Sequence, residues 1–134
     1  MIHIDEAVVS LLSAAPEVAI VVSHRIYSTQ APQGRPLPAV VYSRETNSRD
    51  EFLSLDNTAA FARATYSVSA LAETFAESRN LARAIRRALE YKKTTDIRLV
   101  RVTDESDTIE PPPSGDQMPV YRTDLTVVVT HVEP

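Results

Sequence analysis

The sequence predicts an α+β fold: one mostly antiparallel sheet of four to five strands, with one long and one or two short helices packed mainly on one face. One long segment repeats apolar residues every three or four positions, as an amphipathic helix does, and several others alternate apolar and polar residues, as strands do. The segments follow the order helix, strands, long helix, strands, which favours an antiparallel sheet. We expect residues 1–134 to form a single domain.

Composition excludes several classes of function. The chain has no cysteine, which rules out disulfides, thiol catalysis and thiolate metal sites. Its formal net charge of −4 disfavours a dedicated nucleic-acid binder, whose phosphate contacts need a basic surface. The apolar N-terminal stretch is interrupted by Asp5, Glu6 and Pro16, so we expect neither a signal peptide nor a membrane span there.

The first elements are two short helices and a short strand. Residues 4–14 place apolar side chains on one stripe, with Asp5 as a candidate N-cap. Pro16 suits the first turn of a second helix, "PEVAIVV". The strand "RIY" then leads into a proline-rich connection, which either crosses the edge of the domain at an interface or only bridges the helix layer to the sheet.

Two strands are predicted next, at 38–45 and 59–72, joined by a polar connection at 46–57 that reads as a projecting hairpin. The second strand alternates well. One face is small and mostly apolar, which would let a helix approach closely; it carries Ala60, Ala62, Ala64, Tyr66, Val68 and Ala70.

The long helix has the clearest boundaries. "TFAE" at 74–77 matches a capping box, and the apolar period runs from there to about Tyr91. Strands follow at 97–102 and 120–132. Between them, residues 104–118 carry five acidic residues, three prolines and no basic residue, which predicts a flexible acidic loop.

No pattern predicts catalysis or a cofactor. His3, His24 and His131 lack the spacing of metal ligands, and we expect satisfied or exposed histidines. Two glycines are too few for a phosphate-binding loop, and no serine lies in a nucleophile motif. We therefore expect no enzyme. The acidic run indicates a solvated loop or a weak divalent-ion site shared between subunits.

Charge is segregated along the chain. The long helix carries a stripe of four arginines opposite its apolar face: Arg79, Arg83, Arg86 and Arg87. The stripe is either a solvated face or a surface for an acidic partner, and the acidic segment of a neighbouring copy would serve. The acidic candidates are Asp104, Glu105, Asp107 and Glu110.

The order of these motifs resembles the tail-completion (tail-terminator) family of long-tailed bacteriophages. The resemblance rests on "RIYSTQAPQGRPLPAVVY" at 25–42 and on the strand that runs into "AETFAESRNLARAIRRALE", and it covers roughly residues 5–91. The last third of the chain matches only in outline. The resemblance supplies no catalytic residue.

What the resemblance implies is a structural role in the virion, in a protein made in the host cytoplasm. Such proteins form a ring, typically hexameric, on the end of the tail tube and contact the tail tube protein and the head-completion proteins. DNA passes through the ring without being read.

Two other functions remain open at this point. A head–tail connector of similar fold is the nearer one, and a small dimeric bacterial regulator or ligand-binding domain is the more distant. Under the ring hypothesis the best apolar contacts come from the polar connection, namely Phe52, Leu53 and Leu55, although these side chains could equally fold back onto the sheet.

Overall fold

The computed structural model describes residues 4–23, 25–29, 37–50, 60–94, 97–110 and 119–133, and for residues 49–50, 60–61 and 132–133 the backbone alone. The helices are α1 (Ile4–Ala14), α2 (Pro16–Val22) and α3 (Phe75–Leu89), and the strands are β1 (Ile26–Ser28), β2 (Ala39–Asp50), β3 (Ala60–Ala72), β4 (Ile97–Glu110) and β5 (Val120–Glu133). The predicted α+β fold is confirmed.

The five strands form one sheet in the order β1-β2-β3-β5-β4. β1 pairs with β2 in parallel, and every other pair is antiparallel. The alternation predicted for β3 is correct, since Ala62, Tyr66 and Ala70 are fully buried on the helix side. The helices pack against that face, and the core joins them to the three inner strands and to the first half of β4.

The aspartate predicted as the N-cap of the first helix does something else. α1 begins at Ile4, so Asp5 lies inside its first turn. Its Oδ1 accepts a hydrogen bond from the hydroxyl of Tyr66, which is fully buried on the central strand β3. The cap prediction was wrong because the helix already includes Asp5, whose carboxylate meets a partner 61 residues away.

Arg25 ties α2 to the start of β2. Its Nε donates to the carbonyl of Pro38 at 2.8 Å, and its Nη2 donates to the carbonyl of Val21 at 3.0 Å. The guanidinium thus holds together the two sides of the proline-rich connection, whose residues 30–36 lie outside the described part. The motif that contains Arg25 did not indicate this role.

Both ends of α3 are fixed by identifiable contacts, one made by the Thr74 side chain and the other by the Tyr91 backbone. The Thr74 hydroxyl accepts from the backbone N–H of Glu77 at 3.1 Å, which confirms that half of the predicted capping box. At the other end Tyr91 takes φ 60°, the left-handed conformation in which glycine is usual after a helix. Its N–H donates to the carbonyl of Val100 on β4 at 2.7 Å, so the turn is anchored to the neighbouring strand.

The acidic loop is shorter than predicted. Residues 104–110 continue β4 and pair with β5 from Asp104↔Thr126 to Glu110↔Val120, so the boundary at 104 was wrong. An acidic segment can join a strand here because β4 is the edge strand and its residues 103–109 are exposed. Residues 111–118, which hold the proline run, lie outside the described part.

β2 is longer than predicted, so the polar connection begins later than residue 46, whereas β3 has nearly its predicted bounds. β2 continues to Asp50 and pairs with β3 as far as Asp50↔Phe61, with an irregularity between Arg44 and Thr46. Residues 51–59 lie outside the described part, and with them Phe52, Leu53 and Leu55, so the proposed apolar contacts stay a prediction.

Candidate assembly interface

A group of aromatic and polar contacts joins the start of α3 to the second half of β4 and the first residues of β5. The Phe75 ring meets the Tyr121 ring edge to face with centroids 4.6 Å apart, and the Arg79 guanidinium lies 5.0 Å from the centre of the Phe75 ring. Arg79 also forms a salt bridge with Asp107 on β4, with 3.1 Å between Nη2 and Oδ2. These contacts hold the outer part of β4 against the helix layer.

Asp107 is the centre of this group. The buried Thr123 donates to its Oδ1 at 2.8 Å, and Thr123 Oγ1 also lies 3.1 Å from the buried Ser78 hydroxyl on α3. The hydrogen bond from Thr123, and then that from Arg79, hold the pKa of the Asp107 carboxyl below its usual range. Asp107 is therefore a negatively charged fixed point on the helix side of β4.

The predicted arginine stripe is exposed on α3, and much of it has partners within the chain. Beyond the Arg79–Asp107 pair, Arg86 Nε lies 3.9 Å from Glu90 and Arg87 Nη1 lies 3.9 Å from Glu17 on α2. Arg83 is exposed and takes part in no salt bridge with the described residues. The 3.9 Å pairs are solvent-exposed and contribute little to stability, so these guanidinium groups can change partner.

The predicted acidic residues divide between the two faces of β4. Glu105 and Asp107 lie opposite Leu125 and Thr123, on the helix side. Asp104 and Glu110 lie on the other side, where Glu110 accepts from Arg122 at 2.9 Å. Arg122 also donates to Asp124, which in turn accepts from the buried Ser69 hydroxyl. The acidic set is therefore not one cluster.

The structure gives no arrangement of metal ligands. Among the described residues, no group of three or more histidine, aspartate or glutamate side chains could hold a metal ion. His131 is buried at the edge of the core, and its Nε2 lies 3.1 Å from Oδ1 of Asn47. His3 and His24 lie outside the described part. No helix within the described ranges is long and apolar enough to cross a membrane.

Exposed apolar side chains were not predicted at the positions where they occur. Four large ones are exposed among the described residues: Ile20, Val21, Tyr91 and Ile109. Period alone could have indicated Ile20, since it lies off the stripe that buries Val18 and Val22. Ile109 could not be placed, because the sequence predicted a loop at 104–118, where β4 in fact continues.

Comparison with known proteins identifies the family. Residues 6–127 match the family described as "Tail completion protein gp17". The chain belongs to the tail completion protein gp17 family. The match includes β4 and most of β5, so it extends well past the region of 5–91 in which the sequence motifs resembled such proteins.

A solved structure shares the fold of this tail completion protein. A chain of the "Virion of native gene transfer agent (GTA) particle" superposes with a TM-score of 0.63 at 18% sequence identity, covering 94% of this chain and 92% of that chain. At that identity the likeness shows a common fold. No curated protein matches the chain.

Membership of the family makes the chain a structural tail protein of a phage. The structural role and the association with virions predicted from the sequence are therefore correct in this coarser form. A family of structural proteins also favours a role without catalysis.

Proposed function

We propose that this tail completion protein caps the tail tube as a ring and forms part of the interface between head and tail. The observation that carries the proposal is the family match over 6–127. The match covers all elements from α2 to β4, nearly all of α1 and most of β5. The ring is typically hexameric in proteins that the sequence resembles, and we propose a hexamer here.

The shape of the sheet supports a ring of identical subunits. Its two edges differ, with the short β1 at one and the long β4 at the other, so contact between unlike edges is head-to-tail. Head-to-tail contacts generate closed rings when the rotation between neighbours closes. An exposed edge such as β4 also presents unpaired backbone groups that an assembled neighbour can cover.

The proposed partners are further copies of the chain, the tail tube protein and a head-completion or connector protein. DNA passes through the channel without specific binding, in keeping with a net charge of −4. The proposed location is the tail or neck of the virion, after synthesis in the host cytoplasm.

The test uses two baits, the tail tube protein and the head-completion protein of the same phage or prophage. We expect the purified chain to bind tail tubes and, once bound, to recruit the head-completion protein. Binding to the head side alone, without affinity for the tube, would instead support the head–tail connector function. A compact dimer that binds neither bait would contradict both.

A further inference from the structure

The face of the sheet that points away from the helices carries a group of hydroxyl side chains in its middle. Ser43, Ser67 and Thr126 form one row across three strands, since Ser67 pairs with both Ser43 and Thr126. Thr46 and Thr65 pair with each other in the next row. We call these five residues the hydroxyl face.

The hydroxyl face is open on the side opposite the core. Thr65 and Ser67 flank Tyr66, which points into the core beneath the helices, so their own side chains point the other way. All five side chains of the hydroxyl face are exposed or half-exposed. Towards the start of β5 the same side of the sheet is closed, because Ser69 is buried there and donates to Asp124.

The hydroxyl face is polar without being strongly charged. On β4 its two rows end at Asp104 and Arg101, whose charges are of opposite sign, and Arg63 adds one further cation in the row beyond. The large apolar side chains that are exposed among the described residues lie elsewhere, on α2, after α3 and at Ile109, whose partner Tyr121 packs on α3. The centres of protein interfaces are enriched in aromatic residues and depleted in serine, so the hydroxyl face is better suited to water than to a protein partner.

The helix layer covers its side of the sheet from one edge to the other. At the β1 edge, Arg25 donates to a carbonyl of α2. The pair of Glu17 and Arg87 joins α2 to α3, and the pair of Arg79 and Asp107 joins α3 to β4. The helix layer is therefore about as wide as the sheet on which it lies.

This width decides which side of the sheet can turn towards the centre of the proposed ring. Copies that meet through the two edges of the sheet direct one side to the channel and the other outward. A layer of helices is about 10 Å thick, and in a ring of six a step of about 10 Å in radius changes the arc for each copy by about 10 Å. Helices on the inner side would lose about one helix width, whereas on the outer side they gain it.

We infer that the hydroxyl face lines the channel of the ring and meets the passing duplex DNA across a layer of water. The inference rests on the proposed ring and states which side of each copy turns to its centre. Serine and threonine hydroxyls hold water by donating and accepting hydrogen bonds. Retention of DNA depends on cations that contact its phosphates, and the hydroxyl face itself supplies none. Such a wall lets DNA slide without holding it.

Cysteine labelling of assembled rings tests the inference, since the chain has no cysteine of its own. Ser67→Cys, with Thr126→Cys as a second variant, is treated with a small maleimide and with a maleimide coupled to serum albumin, which is several times wider than duplex DNA. Ser13→Cys is the matched control, because Ser13 is exposed on the side of α1 away from its buried residues. Each rate is compared with that of the same variant in unassembled chains.

We expect Ser67→Cys in the ring to keep its reaction with the small maleimide and to react at least tenfold more slowly with the albumin reagent. Ser13→Cys should react with both reagents at nearly unchanged rates. This pattern is specific to a wall that faces a narrow channel open to water.

A second measurement uses DNA itself. Ser67→Lys combined with Thr126→Lys places cations on the hydroxyl face, so preassembled rings should bind linear duplex DNA at least tenfold more tightly than wild-type rings, with a steeper salt dependence. Closed circular DNA, which has no end to enter the channel, should gain much less. Ser10→Lys combined with Ser13→Lys, both on the exposed side of α1, should not distinguish linear from circular DNA.

Loss of both labelling reactions at Ser67→Cys on assembly would show that a neighbouring copy covers the hydroxyl face. Unchanged reaction with both reagents would place this face outside the channel, and exclusion of the albumin reagent from Ser13→Cys would place the helix layer inside it. Each of these results, or equal binding of linear and circular DNA by the hydroxyl-face lysine variant, would overturn the inference and leave the ring standing. If the chain forms no ring, free or on tail tubes, the ring proposal and this inference fail together.

Discussion

The hydrogen bond between Tyr66 and Asp5 predicts that the folded protein loses stability at alkaline pH through the ionisation of one phenol group. Tyr66 is fully buried at the centre of the sheet. Burial, and then the hydrogen bond to Asp5, raise the pKa of the Tyr66 phenol well above its ordinary value of about 10. The neutral phenol is therefore the form that the folded state requires.

The sign and size of the effect follow from linkage. A raised pKa in the folded state means that the stabilisation is fully present below the pKa of the unfolded state and is lost as pH rises above it. Unfolding releases about one proton from Tyr66 above pH ~10, so this residue lowers the free energy of unfolding by about 1.4 kcal/mol per pH unit. Between pH ~10 and pH ~11.5 the loss is about 2 kcal/mol.

Tyr66→Phe isolates this contribution. Phenylalanine keeps the ring in the core and removes the hydroxyl that donates to Asp5. The lost hydrogen bond to a carboxylate lowers the free energy of unfolding by about 1–2 kcal/mol near neutral pH, where the half-buried carboxylate regains water. At high pH the variant escapes the alkaline loss, so its stability should equal or exceed that of the wild type by pH ~11 to ~11.5.

The assay is urea unfolding followed by circular dichroism at intervals from pH 7 to pH 11.5. Tyr91→Phe is the matched control, since it removes an exposed hydroxyl by the same substitution. Parallel stability curves for the wild type and Tyr66→Phe over the whole range would refute the reasoning.

Three further predictions concern other parts of the fold, each measured by urea unfolding. Asp107→Asn should lower the free energy of unfolding by about 1–2 kcal/mol at pH 7, since Thr123 and Arg79 lose a charged acceptor. The pKa of Asp107 is lowered in the folded state, so the difference from the wild type should shrink as pH falls below ~4. A difference that stays constant with pH would contradict this prediction. Ile85→Ala should lower the free energy of unfolding by about 2–5 kcal/mol, because Ile85 is fully buried on the apolar face of α3. A loss under 1 kcal/mol would mean that α3 does not pack on the sheet as described. Tyr91→Gly should raise stability by about 0.5–1 kcal/mol by relieving the left-handed conformation, whereas any loss would show that the tyrosine ring contributes more than the strain costs.

The sequence pattern was sufficient to predict an element where its side chains interact with neighbours close in sequence. The bounds of α1 and the start of α3 were predicted correctly, because apolar period and the Thr74 cap act within a few residues. The alternation along β3 predicted its buried face for the same reason.

The sequence could not supply contacts between distant segments. Aspartate is a residue type typical of an N-cap, and only the fold shows that the Asp5 carboxylate accepts a hydrogen bond from Tyr66. Arg79 similarly belongs to an exposed stripe by period, while its pairing with Asp107 depends on which strand lies beside α3.

The structure corrects where the predicted interface residues lie. Charge segregation predicted a basic and an acidic surface. The arginine stripe is exposed on α3, whereas the acidic residues are divided between the two faces of β4, and their role in an interface stays a prediction. The acidic residues were placed on a loop because a run of like charges ordinarily avoids a strand, but an edge strand leaves those charges in water. Ile109 was not found because it lies in the segment that the sequence predicted as a loop, and Ile20 was not singled out although the helical period could have indicated it.

The most direct test of the tail-capping proposal is electron microscopy of tail tubes grown with and without the chain. The tail tube protein is allowed to polymerise, the chain is added in small excess, and tube lengths and end structures are recorded over time. We predict that elongation stops and that a ring with an open centre appears at one end of each tube. Continued elongation, with the chain absent from the ends or scattered along the sides, would contradict the proposal.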